Sequence, residues 1–464
     1  MNFISLNRVA VLLIVLSFFM CTDAPAQTGE DWPGFLGPRQ DGTSTQTGIR
    51  TDWSAAKLKD QWTLELGEGY SIGSVADGHY FHFDVEIDLN SNQFARLRCV
   101  DLQTGKQKWQ HRVRSSYKDL YGYDSGPRSS PLIHDGKVYI FGVDGWLRCI
   151  DQQDGSLIWE QNTSERFSVV QNFFGVSSCP IIAGDLLLVM IGGSPKDADP
   201  IPKGKLNLVK PDQCAIVAFN RNSGEIVYKT GNDLASYSSL RLARLHDTDV
   251  ALAWMREKLI CFRPADGEIL FTFPWRSRIL ESVNASTPVV DGNQIFLGEC
   301  YGPGGVLIEI TAKPDPEGST PWNCEIVWSD KSKRDQSLAP HWNTPVLHDG
   351  YLYGCSGRHE AQAELKCVRM SDGEVMWSEP SLGRTSVTLC AGQLIVMSER
   401  GTLQLAKATP EKFDLVTQYD GDIKFRAPCW AAPVVAQGKL IVRGKNKVVC
   451  FSVAKKAAAE KTPE

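Results

Sequence analysis

Cys99-Val100-Asp101-Leu102-Gln103-Thr104-Gly105-Lys106-Gln107-Lys108-Trp109 decides the fold, because the chain writes the same phrase again and again. It returns as Cys149-Ile150-Asp151-x-x-Asp154-Gly155-x-x-x-Trp159 and as Cys367-Val368-Arg369-x-x-Asp372-Gly373-x-x-x-Trp377. Two degraded copies, Ala218-Phe219-Asn220-x-x-Ser223-Gly224-x-x-x-Tyr228 and Cys261-Phe262-Arg263-x-x-Asp266-Gly267-x-x-x-Phe271, keep the Gly and an aromatic in place. A phrase recurring at intervals of roughly 40 to 70 residues marks a repeat array rather than one globular core. Within the turn, the Asp101 or Asp151 carboxylate is placed to accept hydrogen bonds from its own turn's N–H groups. Gly105 or Gly155 takes a conformation closed to residues with a Cβ. The aromatic, Trp109 or Trp159, sits on the strand that follows and is a large apolar filler between stacked units.

Working outward, each phrase is preceded by a hairpin signal. Thr287 to Phe296 and Thr344 to Tyr353 place Asp-Gly or a related pair between two alternating apolar runs, the pattern of a two-residue turn with positive φ. Such turns fall at Gly78, Gly136, Gly184, a degenerate position near Asp247, Gly292, Gly350, Gly392 and Gly438, which makes eight units. Fourth-strand side chains follow at Trp109, Trp159, Tyr228, Phe271, Trp328, Trp377 and, weakly, Leu415, but the eighth unit stops at Val448-Val449-Cys450-Phe451. Lys59 to Leu66, an early strand carrying Trp62, has no partner of its own. It supplies the missing piece. The expected architecture is an all-β, eight-bladed propeller of four-stranded blades, closed by this N-terminal strand so that no sheet edge is left open.

The remaining stretches bound the domains. Val9 to Met20 is apolar but for Ser17, follows Arg8 and precedes Ala24-Pro25-Ala26, so residues 1–26 read as a secretory signal leaving Gln27 first. Cys21 offers a lipidation alternative, which the bulky Phe19 and Met20 before it do not suit. Residues 27–57 read as an irregular arm, since Pro33, Gly34, Gly37 and Pro38 oppose a helix and disfavour a strand. The propeller is expected over 58–454, with a mobile Lys/Ala/Glu tail at 455–464. A formal charge of -5, with Lys+Arg 49 against Asp+Glu 54, gives no nucleic-acid footprint. No later segment has the length of a transmembrane helix. Cys99, Cys149, Cys261, Cys367 and Cys450 share one repeat slot that Ala218 also fills, so the slot wants a small buried side chain. Any disulfide falls instead among Cys179, Cys214, Cys300, Cys324, Cys355, Cys390 and Cys429, and no Cys/His spacing supports a metal site.

The phrase [Ala/Cys]-x-Asp-x-x-[Thr/Asp]-Gly-x-x-x-Trp resembles the pyrroloquinoline-quinone (PQQ) repeat of eight-bladed quinoprotein dehydrogenase propellers. Trp32-Pro33-x-Phe35-x-Gly37-Pro38 is similar to the opening of secreted bacterial PQQ-binding-like propeller proteins. The resemblance runs from about Trp32 to Phe451. It implies the propeller more strongly than the cofactor, because similar repeats build the propeller lipoprotein of outer-membrane protein assembly, which is not an enzyme. WD40 propellers are a weaker alternative, since their Gly-His and Trp-Asp pairs do not recur.

In such propellers the ligand face is made by the loops entering each inner strand and by those joining the second and third strands. The candidate binding residues are Tyr123, Arg128, Asn172, Asn284, His341, Trp342, Asn343, Arg384 and Trp430, with Tyr70 and Tyr237 in the same loops. Arg forks, Asn donors and an aromatic plate are what an anionic ring such as PQQ requires. A dehydrogenase would also need Ca²⁺ and a carboxylate base. The dense acidic stretch Asp84-x-Glu86-x-Asp88 is a calcium candidate, although a charged surface insertion is the favoured reading; His341 and His359-Glu360 are an acid–base candidate. Many large quinoprotein alcohol dehydrogenases carry adjacent cysteines beside the cofactor, and this chain has no Cys-Cys pair. Two functions therefore stand. The first is an exported, monomeric scaffold in the periplasm or beyond, binding an envelope protein, a glycan or a small ligand. The second is a PQQ- and Ca²⁺-dependent dehydrogenase of alcohols or sugars. No catalytic residue is assigned. The long insertion Gly192 to Gln213 suits either, as binding loop or lid.

Overall fold

The computed structural model describes residues 29–313, 320–331 and 333–454. The segment expected to be a signal, with Cys21 and Gln27, and the tail 455–464 lie outside the described residues. Eight antiparallel sheets of four strands follow one another around a ring, at 74–115, 132–162, 181–230, 241–274, 289–329, 346–379, 385–418 and 434–452. The last has only three strands of its own. Asp60–Glu65 pairs antiparallel with Lys447–Ser452 and completes it, with Trp62 opposite Cys450. The ring thus closes on the N-terminal strand.

Seven hairpins stand at the expected glycines, and the eighth, degenerate one turns on His246 and Asp247 with φ of 45° and 59°. Two residues with a Cβ hold left-handed conformations there, a strain of order 1–3 kcal/mol each that the surrounding ladder sustains. In every blade the third and fourth strands slip register by one residue just after the aromatic pair: Cys99 faces Trp109, Cys149 faces Trp159, Ala218 faces Tyr228, Cys367 faces Trp377. The same slip follows Cys261–Phe271, Leu307–Trp328 and Cys450–Trp62, and in blade seven it follows Leu405–Thr417, so the fourth-strand position expected of Leu415 belongs to Thr417. The repeated turn is therefore a bulged connection, closed by a hydrogen bond from Gly105 N–H to the Asp101 carbonyl and its counterparts at Gly155, Gly224, Gly267 and Gly373.

The motif also works across blades. The indole N–H of Trp109 donates to the Gln152 carbonyl in the next blade at 3.0 Å, and a Cβ on Gly155 would lie 2.5 Å from the Trp109 ring. Trp62 repeats this with Leu102 (2.8 Å) and Gly105, Trp159 with Arg221 (3.1 Å) and Gly224, and Trp328 with Met370 (2.7 Å) and Gly373. Trp377 reaches Thr409, and Tyr228, through its hydroxyl, reaches Pro264 while covering Gly267. Each Gly is bare so that the preceding blade's aromatic can lie on it. The buried clusters follow the same seams, one joining blades four and five through Trp254, Phe271, Ile295 and Ile308. The slot cysteines are all buried, and burial pushes the Cys99, Cys149 and Cys450 thiols up to about 12. Cys179, Cys214, Cys300, Cys355, Cys390 and Cys429 are free thiols as well.

The arm takes an unexpected route. Trp32 pairs with Val75 of blade one, Pro33 accepts from Ile133 of blade two (2.7 Å), and Gln40 accepts from Leu242 of blade four (2.7 Å). Thr43–Ser44, where a strand was disfavoured, pairs parallel with Leu389–Cys390 of blade seven, and the Ser44 hydroxyl donates to Val435 of blade eight (3.1 Å). All five partners lie on first strands, and first strands of neighbouring blades touch around the axis. The arm consequently crosses the axial channel, with Trp32 and Trp53 almost wholly buried. An inner strand with no fellow on its axial side has free N–H and C=O groups, and the arm satisfies them.

Candidate functional site

On the axis, with the arm's Phe35 and Leu36 among its lining residues, lies a pocket of about 360 Å³. Every one of the eight entry loops contributes to it: Tyr70, Tyr123 with Arg128, Phe174, Tyr237, Val283, His341 with Trp342 and Asn343, Arg384, and Trp430. Tyr301, Arg358 and His359 join them from the loops between second and third strands of blades five and six. The lining is aromatic and cationic, and no carboxylate belongs to it.

One wall is a continuous aromatic series. Tyr70 stacks on Trp430 at 4.9 Å between centroids, Trp430 meets Trp342 at 4.6 Å, and Trp342 meets His341 at 4.7 Å. Tyr70 is aimed by the buried Arg443, whose guanidinium donates to the Gly69 and Ser71 carbonyls on either side of it. Burial pushes the Tyr70 hydroxyl up to about 12, so it stays protonated. Burial, helped by the nearby charges of Arg384 and Arg358, holds His341 down at about 3, so its imidazole is neutral. Its Nε2 lies 3.0 Å from the Tyr301 hydroxyl, while its Nδ1, like the Trp342 Nε1, has no hydrogen-bond partner among the described residues. An acceptor brought to this wall would complete both groups.

The arginines differ in what holds them. Arg384 lies over the Trp342 ring (4.7 Å) and is gripped by both oxygens of Glu399, which is 7% exposed; Glu399 also accepts from Trp430 Nε1 at 2.9 Å. Arg128 donates to Asp119 at 3.2 Å and to the carbonyls of Asp124 and Gly126. Arg358 is packed over the Tyr301 ring at 4.5 Å, and no carboxylate pairs with it among the described residues. Three guanidinium groups thus face the pocket, two of them neutralised from behind. The pocket's arginines leave one unmatched positive charge, on Arg358.

Of the nine candidate residues, Tyr123, Arg128, His341, Trp342, Asn343, Arg384 and Trp430 meet here. The other two do not. Asn284 is 2% exposed and its amide donates to the Met255 and Arg256 carbonyls, which fixes a loop. Asn172 lines a separate cavity of about 580 Å³ beneath the insertion 192–213, where its side chain accepts from Phe173 N–H at 2.8 Å. His359 reaches the pocket, but Glu360 is held by Arg400 at 2.5 Å, so the two do not form an acid–base pair there. Phe174, Tyr301 and Glu399 were missed in the sequence. Tyr301 and Glu399 occupy the same kind of loop as Arg358, so reading that loop in every blade finds them.

The acidic stretch is neither a calcium site nor a loose surface insertion. Asp84 is fully buried; burial raises its carboxyl, but hydrogen bonds and charge from Arg96 and Arg98 outweigh that and lower it. Glu86 pairs with Arg112 at 2.6 Å, and Asp88 caps its own turn at Asn90 and Asn92. No group of three or more His, Cys, Asp or Glu suited to a metal occurs among the described residues. Calcium with its six to eight oxygen ligands does not fit the axial pocket, which offers it guanidinium groups. PQQ fits in part. The aromatic plate suits its rings, but three carboxylates would face one unmatched cation.

Comparison with known proteins agrees with this fold. The family model described as outer membrane protein assembly factor BamB matches residues 51–213. The dehydrogenase subunits of the quinone alcohol dehydrogenases of Gluconacetobacter polyoxogenes and Komagataeibacter europaeus are each 29% identical over 150 residues, 30% of this chain. That match spans 19% of the relatives' length. Among solved structures, BamB from Moraxella catarrhalis superposes with a TM-score of 0.56 at 12% identity, covering 86% of this chain and 99% of that one, a likeness of fold. Among the described residues no helix is long and apolar enough to cross a membrane. With its bulged Asp-x-x-x-Gly turns repeated around a closed eight-bladed ring, the chain is a PQQ-like β-propeller protein.

Proposed function

We propose that this propeller is a binding scaffold of the cell envelope whose axial pocket takes a small, planar ligand, and that it is not a dehydrogenase. One observation carries the reading: an aromatic pocket on the axis, crossed by the arm, with no carboxylate in its lining. A quinoprotein oxidation requires a base to take the alcohol proton and a metal to polarise the quinone. Here the acids that meet the pocket arginines, Glu399 and Asp119, are bound to Arg384 and Arg128, and the buried pocket imidazole, His341, is paired with a phenol. The volume and the mix of rings with a few polar groups are those of a small-molecule site. The signal-like residues 1–26 and the assembly-factor family match support export.

The test is a melting-temperature and Trp-fluorescence screen of the mature chain against planar ligands, run beside an assay with PQQ, Ca²⁺, alcohols, sugars and an artificial electron acceptor. A ligand that binds only the folded state raises the melting temperature. The expected result is a shift and quench with planar ligands, reduced in Trp342→Ala, and no turnover. Turnover that depends on PQQ and Ca²⁺ overturns the reading in favour of the dehydrogenase.

A further inference from the structure

We infer that the axial pocket is selective for a planar aromatic monoacid, with Arg358 as the residue that receives the acid group. This rests on the small-ligand reading above and narrows it to one chemical class. Three features carry it. The first is the aromatic series of Tyr70, Trp430 and Trp342 along one wall, with ring centroids 4.9 and 4.6 Å apart and interplanar angles of 29° and 43°. Such a wall favours a flat π-system over an aliphatic one.

The second is the charge balance. Arg384 and Arg128 each have a carboxylate behind them, so an anion at either would meet the field of Glu399 or Asp119 as well. Arg358 has no such partner among the described residues, is only partly buried and lies against the Tyr301 ring. One carboxylate is therefore matched, and a second or third is not. An unmatched anion in a partly desolvated pocket is repelled rather than tolerated. A ligand bearing a positive charge meets the opposite problem, since the lining offers it only arginines.

The third is the neighbourhood of Arg358. Its ring partner Tyr301 holds the neutral His341, which in turn contacts Trp342, so the cation, the phenol, the imidazole and the plate form one contiguous wall. A ring laid on the plate can direct a substituent along that wall to the guanidinium. On the same wall, His341 Nδ1 and Trp342 Nε1 have no hydrogen-bond partner among the described residues.

Isothermal titration of the mature chain with 2-naphthoate, its neutral isostere 2-naphthamide, and PQQ tests this, repeated in Arg358→Gln and Arg358→Lys. Loss of a charge-assisted hydrogen bond weakens binding about 10- to 100-fold. The acid is expected to bind at least tenfold tighter than the amide and tighter than PQQ. Arg358→Gln should erase the preference, and Arg358→Lys should keep part of it, with unchanged far-ultraviolet spectra in both. Equal binding of acid and amide, or a preference that survives Arg358→Gln, overturns the monoacid assignment while leaving the pocket a small-ligand site. PQQ binding more tightly than naphthoate does the same. If none of the three ring compounds binds, the monoacid assignment and the small-ligand reading fall together.

Discussion

Replacing Gly105 by Ala tests whether the repeated glycine exists for its backbone or for its neighbour. Gly105 has φ of +69°, and a Cβ there would stand 2.6 Å from Cβ and Cγ of Trp62, on the strand that closes the ring. Two penalties add. Holding Ala in the left-handed region costs about 1–2 kcal/mol. Forcing a methyl group against an indole that is itself 6% exposed and bonded to Leu102 costs about 1–3 kcal/mol more. The sum is roughly 2–5 kcal/mol. Gly78, in the hairpin of the same blade, has φ of +73° with no atom within 4 Å of its would-be Cβ, so Gly78→Ala carries the first penalty alone. Urea unfolding followed by far-ultraviolet circular dichroism should place Gly105→Ala about 1–3 kcal/mol below Gly78→Ala. Trp62→Ala costs about 3–5 kcal/mol alone. Combined with Gly105→Ala it should fall short of the sum, because removing the indole removes the clash. Equal losses for the two glycines, together with strict additivity in the double variant, would refute the inter-blade contact as the reason for the motif.

Three further outcomes are expected. Glu399→Gln keeps the side chain's size but gives up one of the two bonds to Arg384 and leaves that guanidinium unmatched, so titration should show PQQ binding strengthened about tenfold relative to 2-naphthoate. Burial raises the Glu299 carboxyl from 4.5 to about 7, so the folded state holds that proton more tightly than the unfolded one; its contribution is complete below about pH 4.5 and lost as pH rises through about 7. The shift corresponds to roughly 3 kcal/mol. The stability difference between wild type and Glu299→Gln should therefore move by that amount in the variant's favour between pH 4 and pH 8, as measured by urea unfolding at each pH. Cys149→Ala should change stability by less than about 1.5 kcal/mol, since Ala218 fills the same slot, whereas Cys149→Ser buries an uncompensated hydroxyl at about 1–3 kcal/mol, compared by thermal melts.

What could be read from the chain was whatever is local and repeats. A two-residue turn with positive φ writes itself into adjacent residues, so the eight hairpins were legible, including the one at His246-Asp247 that lacks glycine. The orphan strand at Trp62 was legible by arithmetic, because a ring of four-stranded blades leaves one place vacant. Gly105 and Trp62 were each marked, but their contact was not, since it exists only after one end of the chain has met the other. The same limit applies to the site. The entry loops could be named in order, which brought Tyr123, Arg128, His341, Trp342, Asn343, Arg384 and Trp430 to one pocket. The partners of the arginines depend on loops from different turns of a blade, so nothing nearby in sequence announced that Glu399 would hold Arg384 and leave Arg358 alone. Asn284 shows the converse, a polar loop residue whose amide is consumed by main-chain carbonyls.

The closing strand sets the order in which the molecule can be finished. Gln61 and Lys439, hydrogen-bonded across the completed eighth blade, are 378 positions apart. Seven blades can each assemble from consecutive segments, but the eighth waits until residues 439–452 have been made. At typical synthesis rates of 5–20 residues per second that interval is about 20–80 s. Throughout it Asp60–Glu65 is a strand without its partner, although the start of the arm can already pair with blades one and two. A chain arranged in this way gains by remaining unfolded until complete, and its final step should be a single long-range docking event, slow relative to the hairpins.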